Sequence, residues 1–367
     1  MSPAAANGGT TDIAFIAIAQ AHQFLHWLPA ARRLAREPGV RVTVLASTRA
    51  GADLIRSYDP EGRLNIVILR GFREPKDGLF EPPARLPVLL FNVLTLARYP
   101  TLVTTETTSS WLRLLPGFRS RMIHLKHGAG DREGGYDPKH ANYDLTLVNG
   151  PKDKQRLVDR GLGTEENIKV VGYGKFELIR PTQPRLFPND RPVALYNPHF
   201  DRDVGSWIKH GKEVVRAMEA TPDWNFVIAP HVKLRAGPQI GSTAANILID
   251  RGSVRSIDMT YTQAADVYIG DVSSQVYEFI RTPRPCIFLN LDGRDWRTDP
   301  AYSHWHFGQV IDSLDELPAA LEKAKSMQSA FEPLQRKLSA ASIDESTESA
   351  SERQARAILD FALSPHG

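Results

Sequence analysis

The stretch Asp266–Phe279, DVYIGDVSSQVYEF, decides the fold. Its first part, Val267 to Gly270, is a short apolar run of the kind that fills a strand buried on both faces. The run stops at Asp271; Ser273 and Ser274 follow, and then Val276, Phe279 and Ile280 recur at helical spacing. This is a strand–turn–helix unit, and its turn carries chemistry. The first backbone N–H groups of a helix have no partner within it, and the positive end of the dipole adds to them, so an anion is stabilised there. N-capping explains one serine without any ligand. The pair, preceded by Asp271, reads as a phosphate-binding turn.

Outward from this unit the pattern repeats. In the first half, Ile13–Ala19, Val40–Ala46, Leu64–Leu69, Thr101–Thr105, Met122–Lys126, Tyr143–Val148 and Ile168–Val171 read as strands. Helical segments alternate with several of them, at Ala30–Arg36, Ala50–Ser57 and Lys152–Arg160, and a loop holds His22 and His26. Four prolines in Arg180–Pro192 interrupt the series, as an interdomain linker would. It then restarts, with strands at Val193–Tyr196, Phe226–Ala229, Ala245–Leu248, Val267–Gly270 and Cys286–Leu289, and helices at Trp207–Ala220 and Leu314–Lys325. Strands and helices alternating over short links make parallel sheets covered on both faces. The expected fold is therefore α/β, with two Rossmann-like doubly wound domains facing across a cleft. The first spans 1–180, the second 181–348, and a charged amphipathic helix at 349–367 packs back on the first.

The chain has 367 residues and is 42% hydrophobic, enough for two ordinary cores. Its net charge of +3 comes from interspersed acids and bases, which argues against a nucleic-acid partner. No GxGxxG fingerprint follows the first strand, so a nicotinamide dehydrogenase is not expected. The single cysteine, Cys286, sits in an apolar run and reads as a small buried hydrophobe in a reducing, cytoplasmic setting. No secretory signal is visible at the N-terminus, and no window reaches the roughly 18 apolar residues of a membrane span. The apolar segment Leu86–Leu96 reads as a core helix. Trp111–Arg119 mixes aromatic, aliphatic and basic residues and leaves two readings: contact with an anionic membrane surface, or a short helix packed on the sheet.

Ligands of open α/β sheets bind at the carboxyl ends of the strands, so residues just past each strand are the candidates. His127 follows a strand and precedes Gly128-Ala129-Gly130-Asp131. An imidazole, with a pKa near ~6.5, suits proton abstraction at neutral pH. The glycines admit a close ligand, and Asp131 is a candidate orienting partner. Asn197-Pro198-His199 and His231 with Lys233 and Arg235 end two strands of the second half, offering donors and positive charge to a diphosphate. His304 and His306 bracket a tryptophan without a carboxylate or thiol at metal-ligand spacing, and read as surface loop or cleft wall. No metal and no cofactor is expected.

At these residues the chain resembles a known family, the CDP-glycerol glycerophosphotransferases that build teichoic-acid-like polymers. Lys126-His127-Gly128 is similar to the family's His-Gly motif, and Tyr143-Asp144-Leu145 with Asn149-Gly150-Pro151 to its aromatic-Asp strand. Val171-Gly172-Tyr173-Gly174-Lys175 resembles a Gly-aromatic-Pro-Arg turn, and Tyr196–Phe200 a Tyr-Ala-Pro-Thr-Phe loop. Pro230-His231 stands where the family has His-Pro, and Asp271-Val272-Ser273-Ser274 resembles its Asp-Tyr-Ser-Ser signature. The resemblance covers about residues 120–295.

It implies a fold of the GT-B type, with an acceptor-binding first domain and a nucleotide-donor-binding second. It implies transfer of a phosphoglycerol-type group from a CDP-activated donor to a hydroxyl of a glycan or lipid-linked glycan, at the inner face of the cell membrane. His127 is then the general base and CMP the leaving group, with Asp131 and His231 as catalytic partners. Asp271, Ser273, Ser274, Lys233, Arg235, His199, Asn197 and Gly172 hold the donor, while His22 and Gly128 meet the acceptor. Other readings on the same scaffold are a nucleotide-sugar glycosyltransferase and a sugar-nucleotide 2-epimerase, for which Asp131, Glu106 and Glu278 are the available acids. A non-catalytic module for a phosphorylated ligand is a third.

Overall fold

The computed structural model describes residues 10–71, 73–131, 135–179, 185–234 and 238–365. By its internal contacts the chain divides into two compact units. One comprises residues 1–127, 136–178 and 343–367, and the other 128–135 and 179–342.

The first unit holds seven parallel strands: β1 (Thr11–Ala17), β2 (Val40–Ala46), β3 (Asn65–Ile68), β4 (Thr101–Thr104), β5 (Arg121–Leu125), β6 (Leu145–Val148) and β7 (Ile168–Val170). Their order is β3-β2-β1-β4-β5-β6-β7. The second holds six: β8 (Val193–Asn197), β9 (Asn225–Ile228), β10 (Ile247–Ile249), β11 (Val267–Gly270), β12 (Cys286–Leu289) and β13 (Gln309–Ile311), in the order β10-β9-β8-β11-β12-β13. Each order reverses once, between β1 and β4 and between β8 and β11. The connections leave a crevice at the carboxyl ends of those neighbours. Every strand pair is parallel, and the central strands β1, β4, β8, β11 and β12 are buried along most or all of their length.

Several elements differ from the sequence reading. His26 lies on a helix, Phe24–Leu34, that begins six residues before the expected one, and His22 is on the 3-10 turn leading into it. The helix expected over Leu314–Lys325 runs from Leu317 to Ser342. The segment Leu86–Leu96 is not one core helix. It forms two short helices, Arg85–Phe91 and Val93–Leu96, broken at Asn92. The Asn92 amide accepts from the Arg70 N–H and donates to the Arg70 and Val88 carbonyls, tying the break between the two helices to the chain just after β3. Val88, Leu89 and Leu96 are buried, whereas Phe91 and Leu94 are 74% and 79% exposed. The Arg85–Phe91 helix packs against the 3-10 segment Thr108–Leu114, on which Trp111 and Leu114 are exposed as well.

The C-terminal helix, Ala350–Leu363, belongs to the first unit and packs on Phe24–Leu34. Arg33 grips Glu352 through two nitrogens, and Arg121 donates to the Phe361 and Ser364 carbonyls. Cys286 is buried in β12, and burial pushes its thiol pKa up, which makes it unreactive.

Candidate functional site

In the first unit His127 stands two residues beyond the end of β5, and Lys126 between them is buried and paired with Asp153 at 3.0 Å. Asp153 also accepts from the Tyr136 hydroxyl at 2.7 Å. Burying a lysine is costly without such a partner, so this pair fixes where β5 ends and where the next side chain starts. The His127 Nδ1 lies 2.7 Å from the carbonyl oxygen of Thr105, just past β4. A carbonyl only accepts, so the hydrogen is on Nδ1 and the lone pair of the neutral ring is on Nε2. That is the tautomer a general base requires.

Two further imidazoles stand beside it. The rings of His22 and His26 are each 6.0 Å from that of His127, edge to face, and His26 packs on Tyr173 at 4.9 Å. Burial, then the positive charge of Lys175 and the neighbouring His127, which repels a second charge whenever it is itself protonated, hold the His26 pKa well below its ordinary value. His26 is therefore neutral. Lys175 is buried as well. The sequence reading placed His22 at the acceptor and gave His26 and Lys175 no role; the four-residue spacing of His22 and His26 at a helix start was the available signal.

Gly172, expected among the donor residues, has a different task. It lies in the first unit with φ +76°, and a Cβ there would run into the Arg353 guanidinium and the Asp344 carbonyl. Its own carbonyl accepts from Gln354. The glycine lets the C-terminal segment approach and has no room for a ligand.

The second unit gathers the other candidates at the carboxyl edge of β8, β9 and β11. Asn197 donates to the Ala229 carbonyl at 2.7 Å and accepts from the Ser273 hydroxyl at 2.9 Å, tying three strand ends together. The Asp271 carboxylate accepts from the backbone N–H of His199, Ser206 and Val272 and from the Ser206 hydroxyl. Burial pushes its pKa up, opposed by those four donors. Asp271 and Asn197 thus organise the loops rather than face a ligand.

The serine pair divides likewise. Ser273 is buried and its hydrogen goes to Asn197, while Ser274 is half-buried and makes no capping bond. The helix after them, Gln275–Phe279, has only five residues, so the anion preference expected from its dipole shrinks to that of a single turn.

His199 and His231 supply donors. The Nδ1 of His199 accepts from the Asp201 N–H at 3.1 Å, and that of His231 from the Lys233 N–H at 3.2 Å. In both neutral rings the hydrogen is then on Nε2. The rings are 5.9 Å apart, with Phe200 packed on each, and the Lys233 ammonium lies 4.0 Å over the Phe200 ring. Two N–H donors and a cation at one strand edge suit a diphosphate. Arg235 lies outside the described residues. A cavity of about 360 Å³ lies beside Val272, lined also by Val204, Arg294, Tyr302 and the acids Asp295 and Asp299.

Gly128 and Gly130 belong to the second unit and lie on Ser274; a Cβ at Gly130 would be 2.8 Å from that of Ser274. Asp131 is buried, accepts from the Tyr277 hydroxyl at 2.5 Å and faces His304 Nδ1 at 3.3 Å. His304, read from the sequence as surface loop or cleft wall, is 2% exposed, which excludes the surface loop. The acids weighed for an epimerase are also engaged: Glu106 caps the Ser109 N–H and hydroxyl, and Glu278 is buried. Among the described residues no group of three or more His, Cys, Asp or Glu side chains is arranged to hold a metal ion, and no helix is long and apolar enough to cross a membrane.

Residues 182–360 match the family model of CDP-glycerol:poly(glycerophosphate) glycerophosphotransferases. No curated protein sequence matches the chain. Among solved structures, the wall teichoic acid polymerase TagF is similar at 13% identity and a TM-score of 0.66, covering 96% of this chain and 88% of its own. The UDP-GlcNAc 2-epimerase of Neisseria meningitidis bound to UDP-GlcNAc is similar at 12% identity and a TM-score of 0.65, over 96% and 100%. The S. aureus MnaA–UDP co-structure gives 14%, 0.66, 96% and 97%. At these identities the structural likeness establishes the fold, two Rossmann-like units of the GT-B type.

Proposed function

We propose that the chain works as a transferase of the CDP-glycerol:poly(glycerophosphate) glycerophosphotransferase family, whose model matches residues 182–360, and each part of its site takes a role on that reading. A hydroxyl of the growing glycan-type acceptor attacks the β-phosphorus of CDP-glycerol. The bond from that phosphorus to the bridging oxygen breaks, CMP leaves, and the acceptor gains one glycerol phosphate. The hydroxyl proton goes to His127 Nε2. The observation that carries this assignment is the Nδ1 contact with the Thr105 carbonyl, which leaves Nε2 as the basic atom.

His231 and His199, through their Nε2 hydrogens, and Lys233 and Ser274 hold the diphosphate and offset the charge that builds on its oxygens. Neutral His26 beside His127 adds no positive charge that would oppose proton uptake. The cavity beside Val272 offers room for the rest of the donor.

The first unit meets an anionic membrane surface, where a lipid-linked acceptor is presented. Phe91, Leu94, Leu90, Trp111 and Leu114 are exposed on neighbouring short helices of that unit. From Pro82 to Gly130 the only acid is Glu106, which is buried, while Arg98, Arg113 and Arg119 are exposed. Exposed apolar side chains with a basic rim suit a headgroup layer.

The test is a calorimetric titration with CDP, CDP-glycerol, UDP and UDP-GlcNAc, followed by an assay of CMP release on a poly(glycerophosphate) acceptor. Selective binding of the cytidine ligands and release of CMP support the reading. Preference for UDP ligands moves the chain to the sugar-nucleotide chemistry of its epimerase-like neighbours, and binding of neither removes both.

A further inference from the structure

We propose that His304 is a positioning residue for the phosphate-binding turn, bracing the Gly128–Asp131 segment against Asp271–Ser274. All of these residues lie in the second unit. The inference rests on the glycerophosphotransferase reading for its kinetic test and on geometry for everything else.

The His304 ring is buried and both of its nitrogens face oxygen acceptors. Nε2 is 2.8 Å from the Asp271 carbonyl, and Nδ1 is 3.3 Å from Asp131 Oδ2. The same carbonyl accepts from Trp305 Nε1 at 2.9 Å, and the same carboxylate oxygen accepts from the Tyr277 hydroxyl at 2.5 Å. A carbonyl and a carboxylate only accept. The Nε2 hydrogen is therefore committed to Asp271, and the Nδ1 contact is attractive only with a hydrogen between it and Asp131.

What the brace holds is the turn at the switch point of the second sheet. The Asp271 carboxylate is pinned by four donors from the β8 loop and its own turn, and its carbonyl by His304 and Trp305, so Ser273 and Ser274 leave a residue fixed at both ends. On the other side Gly130 sits so close to Ser274 that a methyl group would not fit. Asp131 follows directly and is the point at which His304 and Tyr277 hold that segment down. Asp131 then acts through this brace. A misplacement of about 1 Å at such a turn costs on the order of 10²-fold in rate.

Two amides separate the halves of the brace. In His304→Gln the side-chain nitrogen reaches the Nε2 position and keeps the bond to Asp271 alone; in His304→Asn it reaches the Nδ1 position and keeps the bond to Asp131 alone. With full-length protein, kcat, KM for CDP-glycerol, the affinity for CDP and the melting temperature are measured for both, for Asp131→Asn, and for the His304→Gln/Asp131→Asn double variant. Each single variant is expected to lose about 10-fold to 100-fold in kcat with a much smaller change in CDP affinity. The double is expected to be little worse than His304→Gln, as members of one unit are not additive. Additive losses, or lowered melting temperatures with unchanged kcat, overturn the proposal. Where the His304 variants do not fold, Tyr277→Phe, which removes one hydroxyl from Asp131, carries the kinetic test.

Nitrogen-15 NMR of the His304 ring reads the brace independently of activity. A hydrogen on Nε2, and an Nδ1 resonance that shifts in Asp131→Asn while Nε2 keeps its hydrogen, support it. An Nδ1 resonance that does not respond to Asp131→Asn overturns it, whether or not CDP-glycerol proves to be the donor.

Discussion

The Nδ1 of His127 and the carbonyl oxygen of Thr105 lie 2.7 Å apart, a contact that commits the ring hydrogen to the backbone and leaves Nε2 basic. Replacing His127 by Ala removes the base and should lower kcat by about 10²–10⁴, with CDP affinity unchanged. Single-turnover CMP release beside a calorimetric titration checks this. A variant that turns over normally would return the residue to a purely structural role.

Ser273 and Ser274 should separate under mutation. Ser273→Ala leaves the buried Asn197 oxygen without its donor, at a cost of about 1–3 kcal/mol in stability. Ser274→Ala should leave stability unchanged and weaken CDP-glycerol binding. Thermal melts paired with titrations decide it; equal effects from the two would mean that both serve the ligand or that neither does.

Stability should fall as pH drops below ~6.5. Burial, first among the causes, lowers the pKa of His26 and His124 well below the ordinary value. The unfolded chain then takes up protons that the folded chain refuses. Stability from these groups is thus present above the unfolded pKa and declines below it, by about 1.4 kcal/mol per pH unit for each. Urea melts at pH 7.5, 6.5 and 5.5 should show the decline, and His26→Gln should make it shallower. An unchanged slope would show that His26 titrates alike in both states.

The apolar surface on the Arg85–Leu96 helices should bind vesicles containing anionic phosphatidylglycerol at low salt. Phe91→Ser/Leu94→Ser should abolish co-sedimentation without altering CDP affinity. Retained binding by this double variant would exclude these residues as the contact.

Most strands of the two sheets were legible in the sequence because parallel strands buried on both faces leave apolar runs, such as Val267–Gly270 and Ile13–Ala19; the three-residue edge strand Gln309–Ile311, half-buried at its first two residues, leaves none and was not read. The strand-end histidines were legible for the same reason: His127, His199 and His231 follow those runs closely. What stayed hidden depended on partners distant in the chain. Nothing near His304 announces Asp131, 173 residues away. Gly172 was misread because a glycine that admits a ligand and one that admits an arginine look alike. The apolar run Leu86–Leu96 gave no sign that Asn92 would bond Arg70 and turn Phe91 outward.

The return of residues 343–365 to the first unit orders events on the ribosome. The face of the Phe24–Leu34 helix that receives Ala350–Leu363 has been translated long before its cover exists. At ~5–20 residues per second, the whole second unit intervenes as a delay of roughly ten to thirty seconds. During that interval the first sheet emerges with one flank open and Gly172 facing no arginine. Chaperone occupancy of the nascent chain should therefore persist until the last helix clears the exit tunnel.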